Sequence, residues 1–299
     1  MKPDDASLAP HDYERVLKEA RSVLLRSGAL GRFPTPVADI VAAAKLIEAP
    51  DDIGEEGLLV RLRRLAGGAL KRAASKVVGL FHASTGLIFV DRSLNLVKQT
   101  FVKLHETAHG FLSWHRDIYA VVEDCKLSLA PEMAEQFERE ANVFAAEVLF
   151  QLDGFITEAR DYDFGISVPL KMGKKYGASV YASMREYVRK NPYPCAVLIL
   201  DPPELTKGYG FQASLRRVEV SRSFVESCGM IKWQERFTPD DAIGAMVPIG
   251  GRKMSGKRQF SLTDTWGITH ECIAEAFTQG YQVFVLLLLG QARSAKLIA

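Results

Sequence analysis

Apolar positions along the chain fall into helical and strand-like rhythms that separate cleanly. Over residues 13–28, Val16, Ala20, Val23, Leu24 and Ser27 recur at three- and four-residue spacing and Gly28 supplies the stop, which predicts a helix. A shorter helix is expected over 36–46. Two strand-like runs follow, VVGLFHA from Val77 and GLIFVD from Gly86, with the turn formers Ser84 and Thr85 between them. Long helical patterns then cover 96–114, 131–152 and 167–190, the last with Gly177 at a turn.

Beyond residue 190 the rhythm changes. NPYPCAVLILDPPE sets a strand-like CAVLIL among prolines, and RRVEVSRSF, IKWQERFT and YQVFVLLLLG read as further strands, with ITHECIAEAFTQ as a helix. Helices dominate before this point and strands after it. The pattern therefore predicts an α+β protein with a boundary near Asn191: a helix-rich domain over 1–190 and a C-terminal α/β domain over 191–299.

Composition narrows the class. With 38 Lys and Arg against 36 Asp and Glu, the formal charge is +2, which argues against a general nucleic-acid binder; such proteins carry a basic surface to neutralise phosphates. Cys125, Cys195, Cys228 and Cys272 are too widely spaced for a metal knuckle or redox pair, so a reduced, cytoplasmic protein is expected. The start of the chain, MKPDDASLAPHDYERV, lacks the basic and apolar regions of a signal peptide, and no apolar run is long enough to span a bilayer.

Chemistry enters at TFVKLHETAHGFLSWH. His105-Glu106-Thr107-Ala108-His109 is an H-E-x-x-H, and on a helix its two histidines sit one turn apart on one face, where both imidazoles reach a single metal ion. Zinc suits such a site because it brings the pKa of a bound water to about 7, and the carboxylate of Glu106, rotated off the histidine line, can take the proton. Phe101, Leu104, Ala108 and Leu112 form an apolar stripe that includes both histidines, and buried imidazoles need partners.

A catalytic zinc takes a third protein ligand, for which His115, Glu138 and Glu140 are candidates. His115 stands where a third histidine occurs in metzincin proteases, but those need a glycine midway and this chain has Leu112. On the helix EQFEREANVFAAEVLF, the apolar positions fall between about 240° and 20° measured from Glu138. Glu138 lies within that arc and Glu140, at about 200°, outside it. A carboxylate aimed at a core needs a cation, so Glu138 is the expected ligand and Glu140 a surface residue. Asn142, one turn further on, is placed to orient a ligand from behind.

GLIFVD, QTFVKLHETAHGFL and EREANVFAAEVL together resemble the ImmA/IrrE family of gluzincin-like zinc metallo-endopeptidases, also called M78. The resemblance covers residues 10–190 and extends to LKMGKKYGASVYASMREYV, where that family often carries a small helix-turn-helix-like bundle, here 167–190. It implies zinc held by His105, His109 and Glu138, Glu106 as general base, and a protein substrate of the helix-turn-helix repressor type, cut to release stress-response genes. The run VLFQLD departs from the Leu-Leu-Met-Pro that usually closes the ligand helix. A non-catalytic zinc-containing module that regulates a transcription factor by binding is the alternative reading.

Other features are weaker. GLIFVD is a candidate sheet edge for an extended substrate segment, and Tyr119 and His115 are within sequence reach of an oxyanion. Residues 61–76 hold six basic side chains and no acid, read as a solvated face; Gly250-Gly251 before RKMSGKR reads as an exposed basic loop; His270 and Cys272 read as structural. By analogy with related proteins, the C-terminal domain is expected to sense a signal or bind a partner.

Overall fold

A computed structural model describes residues 6–49, 79–125, 129–208 and 210–290. They divide into two compact units, one running to Phe155 and including 173–179, the other comprising 156–172 and 180 onward. The basic stretch 61–76 and the start of VVGLFHA lie outside the described residues.

In the first unit, α1 (Pro10–Arg26) buries Val16, Ala20, Val23 and Leu24, and α2 (Val37–Ala43) buries Ile40 and Val41. β1 (Ile47–Glu48), β2 (Gly79–His82) and β3 (Leu87–Val90) form a sheet in the order β1-β3-β2, with β1 parallel and β2 antiparallel to β3. GLIFVD therefore supplies the central strand and not an edge, because β1 pairs with β3 on one side and β2 on the other. Among the described residues, β2 is the edge nearest the motif helix.

α3 (Leu96–Phe111) starts at Asn95, whose side chain accepts from the Lys98 N–H, and packs against β2, β3 and α5 (Pro131–Leu149). Leu104, Ala108 and Leu112 are fully buried, each leucine contributing about 1.5–3 kcal/mol. Gly110 lets α3 come close: a Cβ there would stand 2.7 Å from Leu46 and 2.9 Å from the Phe81 ring. The helix expected to run to 114 breaks at Leu112, whose ψ of 110° is extended, and a new helix, α4 (Ser113–Cys125), begins at once. α5 is covered on a second side by α1.

α6 (Gly154–Ala159) and α7 (Ser167–Tyr176) cross the division between the units, and Gly177, at φ +72°, separates α7 from α8 (Val180–Arg189). The second unit is built on a seven-stranded antiparallel sheet in the order β5-β6-β4-β10-β9-β8, with β7 paired to β6. Its strands are β4 (Cys195–Leu200), β5 (Glu204–Thr206), β6 (Gly210–Val220), β7 (Arg236–Phe237), β8 (Arg258–Thr263), β9 (Thr269–Thr278) and β10 (Val283–Leu289). CAVLIL and VFVLLLL are unbroken apolar runs because they lie centrally, with α8 packed on β4 and β6.

ITHECIAEAFTQ, expected as a helix, is β9. Cys272, Ala274 and Ala276 alternate into the core, and this two-residue period with pairing on both edges prevails over the helix preference of Ala and Glu. RRVEVSRSF changes structure within itself: β6 ends at Val220, and Ser221 caps α9 (Arg222–Cys228) by accepting from the Phe224 N–H. IKWQERFT contributes only the two residues of β7.

Candidate metal centre

α3 brings His105 and His109 onto one face, and their Nε2 atoms stand 3.2 Å apart. α5 adds Glu138, whose two carboxylate oxygens lie 3.2 Å from His105 Nε2 and 3.6 Å from His109 Nε2. Among the described residues, these three form the group of His, Cys, Asp or Glu side chains whose ligand atoms converge, all within 4.8 Å of one another. A tetrahedral zinc with bonds of about 2.0–2.1 Å would hold its ligand atoms about 3.4 Å apart. Two imidazole nitrogens and a carboxylate at these separations are a donor set that fits zinc.

The far side of each imidazole is also engaged. His105 Nδ1 lies 3.1 Å from Asn142 Oδ1, so the amide accepts its proton and leaves Nε2 bare toward the centre. His109 Nδ1 lies 3.1 Å from His115 Nδ1, and His115 Nε2 lies 2.8 Å from Glu140 Oε2. His115 thus stands behind His109 instead of beside the convergent atoms. The break at Leu112 turns it there without a glycine.

Burial holds the His109 ring far below its ordinary pKa, helped by the neighbouring His105 and His115. For His105 burial is the largest single influence and pulls down, but Glu138, Glu106 and Asn142 together outweigh it and the net shift is upward. Glu138 itself is lowered: burial acts against ionisation, and the His105 contact prevails. Its side chain is 56% exposed, so it was not a core-facing carboxylate that the helical phase identified but one at the rim of the cleft where α3 and α5 meet. Glu140 is the reverse of the surface residue expected: its side chain is 1% exposed.

Glu106 lies in the same cleft, 7% exposed, and accepts from the Phe81 backbone N–H on β2. Burial is the largest influence on it and raises its carboxyl to about 7, against the pull of His105. Tyr119 of α4 stands edge-on to the His109 ring with centroids 5.3 Å apart, and burial together with Glu138 and Glu106 pushes its phenol above the ordinary range.

The profile of the M78 peptidases, described as an IrrE N-terminal-like domain, matches residues 55–182, a span that holds both histidines and both glutamates of the cleft. That part of the chain belongs to the ImmA/IrrE family. The M78 domain thus carries its convergent donors on α3 and α5. No curated protein matches the chain in sequence. Among solved structures, a Mycobacterium tuberculosis transcriptional regulator superposes with a TM-score of 0.51 at 15% identity, over 94% of this chain and 82% of that one, a likeness of fold.

Outside the M78 domain, the remaining candidates do not converge. His270 Nε2 pairs with Asp264 Oδ2 at 2.7 Å, and no third ligand joins it and Cys272 among the described residues. Gly250 and Gly251 take positive φ in a turn with open space around them. No described helix is long and apolar enough to cross a membrane. Sequence reasoning missed the group around Glu140, formed with Arg15, Trp114, His115 and Gln136, and the role of Gly79; only the glycine inside a strand gave a signal, since such residues mark close approach.

Proposed function

We propose that this chain is a zinc-dependent endopeptidase of the cytoplasm, gluzincin-like in its two histidines and one glutamate, that cleaves a regulatory protein of the helix-turn-helix repressor type. The observation that carries this reading is the convergence of His105 Nε2, His109 Nε2 and the Glu138 carboxylate, with Glu106 in the same cleft. A zinc ion bound there would polarise a carbonyl and acidify water. Glu106 then accepts the proton of the attacking water and passes it to the leaving amine.

Of the two side chains within sequence reach of an oxyanion, His115 has both ring nitrogens engaged, which favours Tyr119, its phenol kept protonated, as the donor. Among the described residues β2 is the edge on which an extended substrate segment would add as a strand, since β3 is paired on both sides. The regulatory context is supported by the M78 match and by the likeness in fold to a mycobacterial transcriptional regulator. In this reading 1–190 is the peptidase domain with α7 and α8 as its helix-turn-helix-like part, and 191–299 binds a signal or partner.

The test is Glu106→Gln in the full chain, co-expressed with a helix-turn-helix regulator encoded beside it. The amide cannot take a proton, so the variant should keep its metal and lose cleavage by about 10²–10⁴-fold. Equal biological activity of both forms would mean that the protein works by occupancy and not by hydrolysis.

A further inference from the structure

Behind the metal-facing cleft lies a buried carboxylate that the proposed chemistry never touches. Glu140 Oε2 receives Trp114 Nε1–H at 2.6 Å and lies 2.8 Å from His115 Nε2, while Oε1 accepts from Arg15 Nη2 and Gln136 Nε2, each at 3.0 Å. His115 is fully buried and stacks on Phe137, with ring centroids 3.9 Å apart and planes at 15°. Its other nitrogen, Nδ1, meets His109 Nδ1 at 3.1 Å.

Counting protons along this row gives it a direction. A carboxylate surrounded by donors is acceptor only, so the proton between Glu140 and His115 sits on His115 Nε2. A neutral His115 then has a bare Nδ1. The single proton between the two Nδ1 atoms therefore belongs to His109, and His109 Nε2 carries only its lone pair, aimed at His105 and Glu138.

We propose that Glu140 and His115 are positioning residues that set the tautomer and ring orientation of His109, so that its Nε2 is a ready-made metal donor. This rests on reading the His105, His109 and Glu138 group as a metal centre. Carboxylates commonly orient a ligating histidine directly; here a second imidazole is interposed, and it also carries the carboxylate's influence to the ligand.

Two measurements on the full-length protein test this. The first is Co(II) affinity, by competition with a chromophoric chelator, for wild type, His115→Phe, Glu140→Gln and the double variant. Phenylalanine keeps the stack on Phe137 and removes both hydrogen bonds. Each single variant should bind about 10–100-fold more weakly, and the double should be no weaker than His115→Phe, because the row is already broken. If His115→Phe fails to fold, His115→Gln replaces it: its amide reaches Glu140 but not His109, and the same loss is expected.

The second is ¹⁵N NMR of the imidazoles in the metal-free protein. Wild-type His109 should carry its proton on Nδ1, and Glu140→Gln, whose amide can donate, should shift that tautomer balance, which a purely structural role would leave alone. Unchanged Co(II) affinity in the His115 variants, strictly additive losses, or a His109 proton on Nε2 in wild type would each overturn the proposal. A wild type that binds no Co(II) at all would overturn the metal-centre reading as well, whereas wild-type binding with undiminished variants overturns only the positioning role.

Discussion

Gly79 on β2 faces Glu106 on α3 so closely that a Cβ on Gly79 would stand 2.4 Å from Glu106 Oε1 and 2.8 Å from its Cγ. The missing side chain is the space the carboxylate occupies. Gly79→Ala should therefore push Glu106 off its position while leaving the metal donors in place. Cleavage should fall by about 100-fold, the loss that a displacement of about 1 Å can bring, with metal content unchanged. Undiminished turnover in that variant would show that Glu106 works from a different position.

The two glutamates of α5 should separate by function. Glu138→Gln removes a donor atom and should lower metal affinity more than Glu140→Gln, which removes only the support behind His109. Affinities measured side by side check the order, and a larger loss at Glu140 would contradict the ligand assignment.

Why these two were hard to rank from the sequence is a matter of what covers α5. Hydrophobic periodicity describes a helix with one apolar face, and α5 meets α3 through such a face. Its second covered face meets α1 through polar pairs: Tyr13 with Glu147 at 2.7 Å, Arg15 with Glu140 at 3.0 Å, Gln136 with Asp12 at 3.4 Å. Glu140 and Glu147 are buried, each with an α1 partner more than a hundred residues away, and Glu140 also with Trp114 and His115 of another helix, so no pattern within α5 announces them. The H-E-x-x-H, by contrast, is local to one helix turn and was legible at once. β9 was misread for a related reason: its small alternating core residues look helical until strands on both sides are known.

Glu106 and Glu140 should affect stability in opposite pH windows in the metal-free protein. Glu140 is held at about 2 from an ordinary 4.5, because the hydrogen bonds from His115, Trp114 and Gln136 outweigh its burial. Its contribution is present above pH 4.5 and lost as the pH falls toward 2, a span worth about 3 kcal/mol. The gap in unfolding free energy between wild type and Glu140→Gln should shrink accordingly in acid. Glu106 is raised to about 7, so its burial weighs on the fold progressively from pH 4.5 to 7. Glu106→Gln should gain stability relative to wild type over that window and hold the gain above it. Denaturant titrations across pH 2–8 check both signs.

A fragment ending at residue 190 retains every donor of the cleft, but α8 in it loses the strands β4 and β6 on which it packs. It should take up metal with the affinity of the full chain while losing helix signal in circular dichroism. Loss of metal binding in a soluble fragment would show that the donors depend on residues beyond 190.

The most direct measurement is metal content. Full-length protein reconstituted with zinc and freed of excess should hold about one ion per chain by elemental analysis, and His105→Ala and His109→Ala, folded but each lacking one of three donors, should hold none. A folded wild type without zinc, nickel or manganese after reconstitution, or histidine variants that retain a full equivalent, would contradict the account.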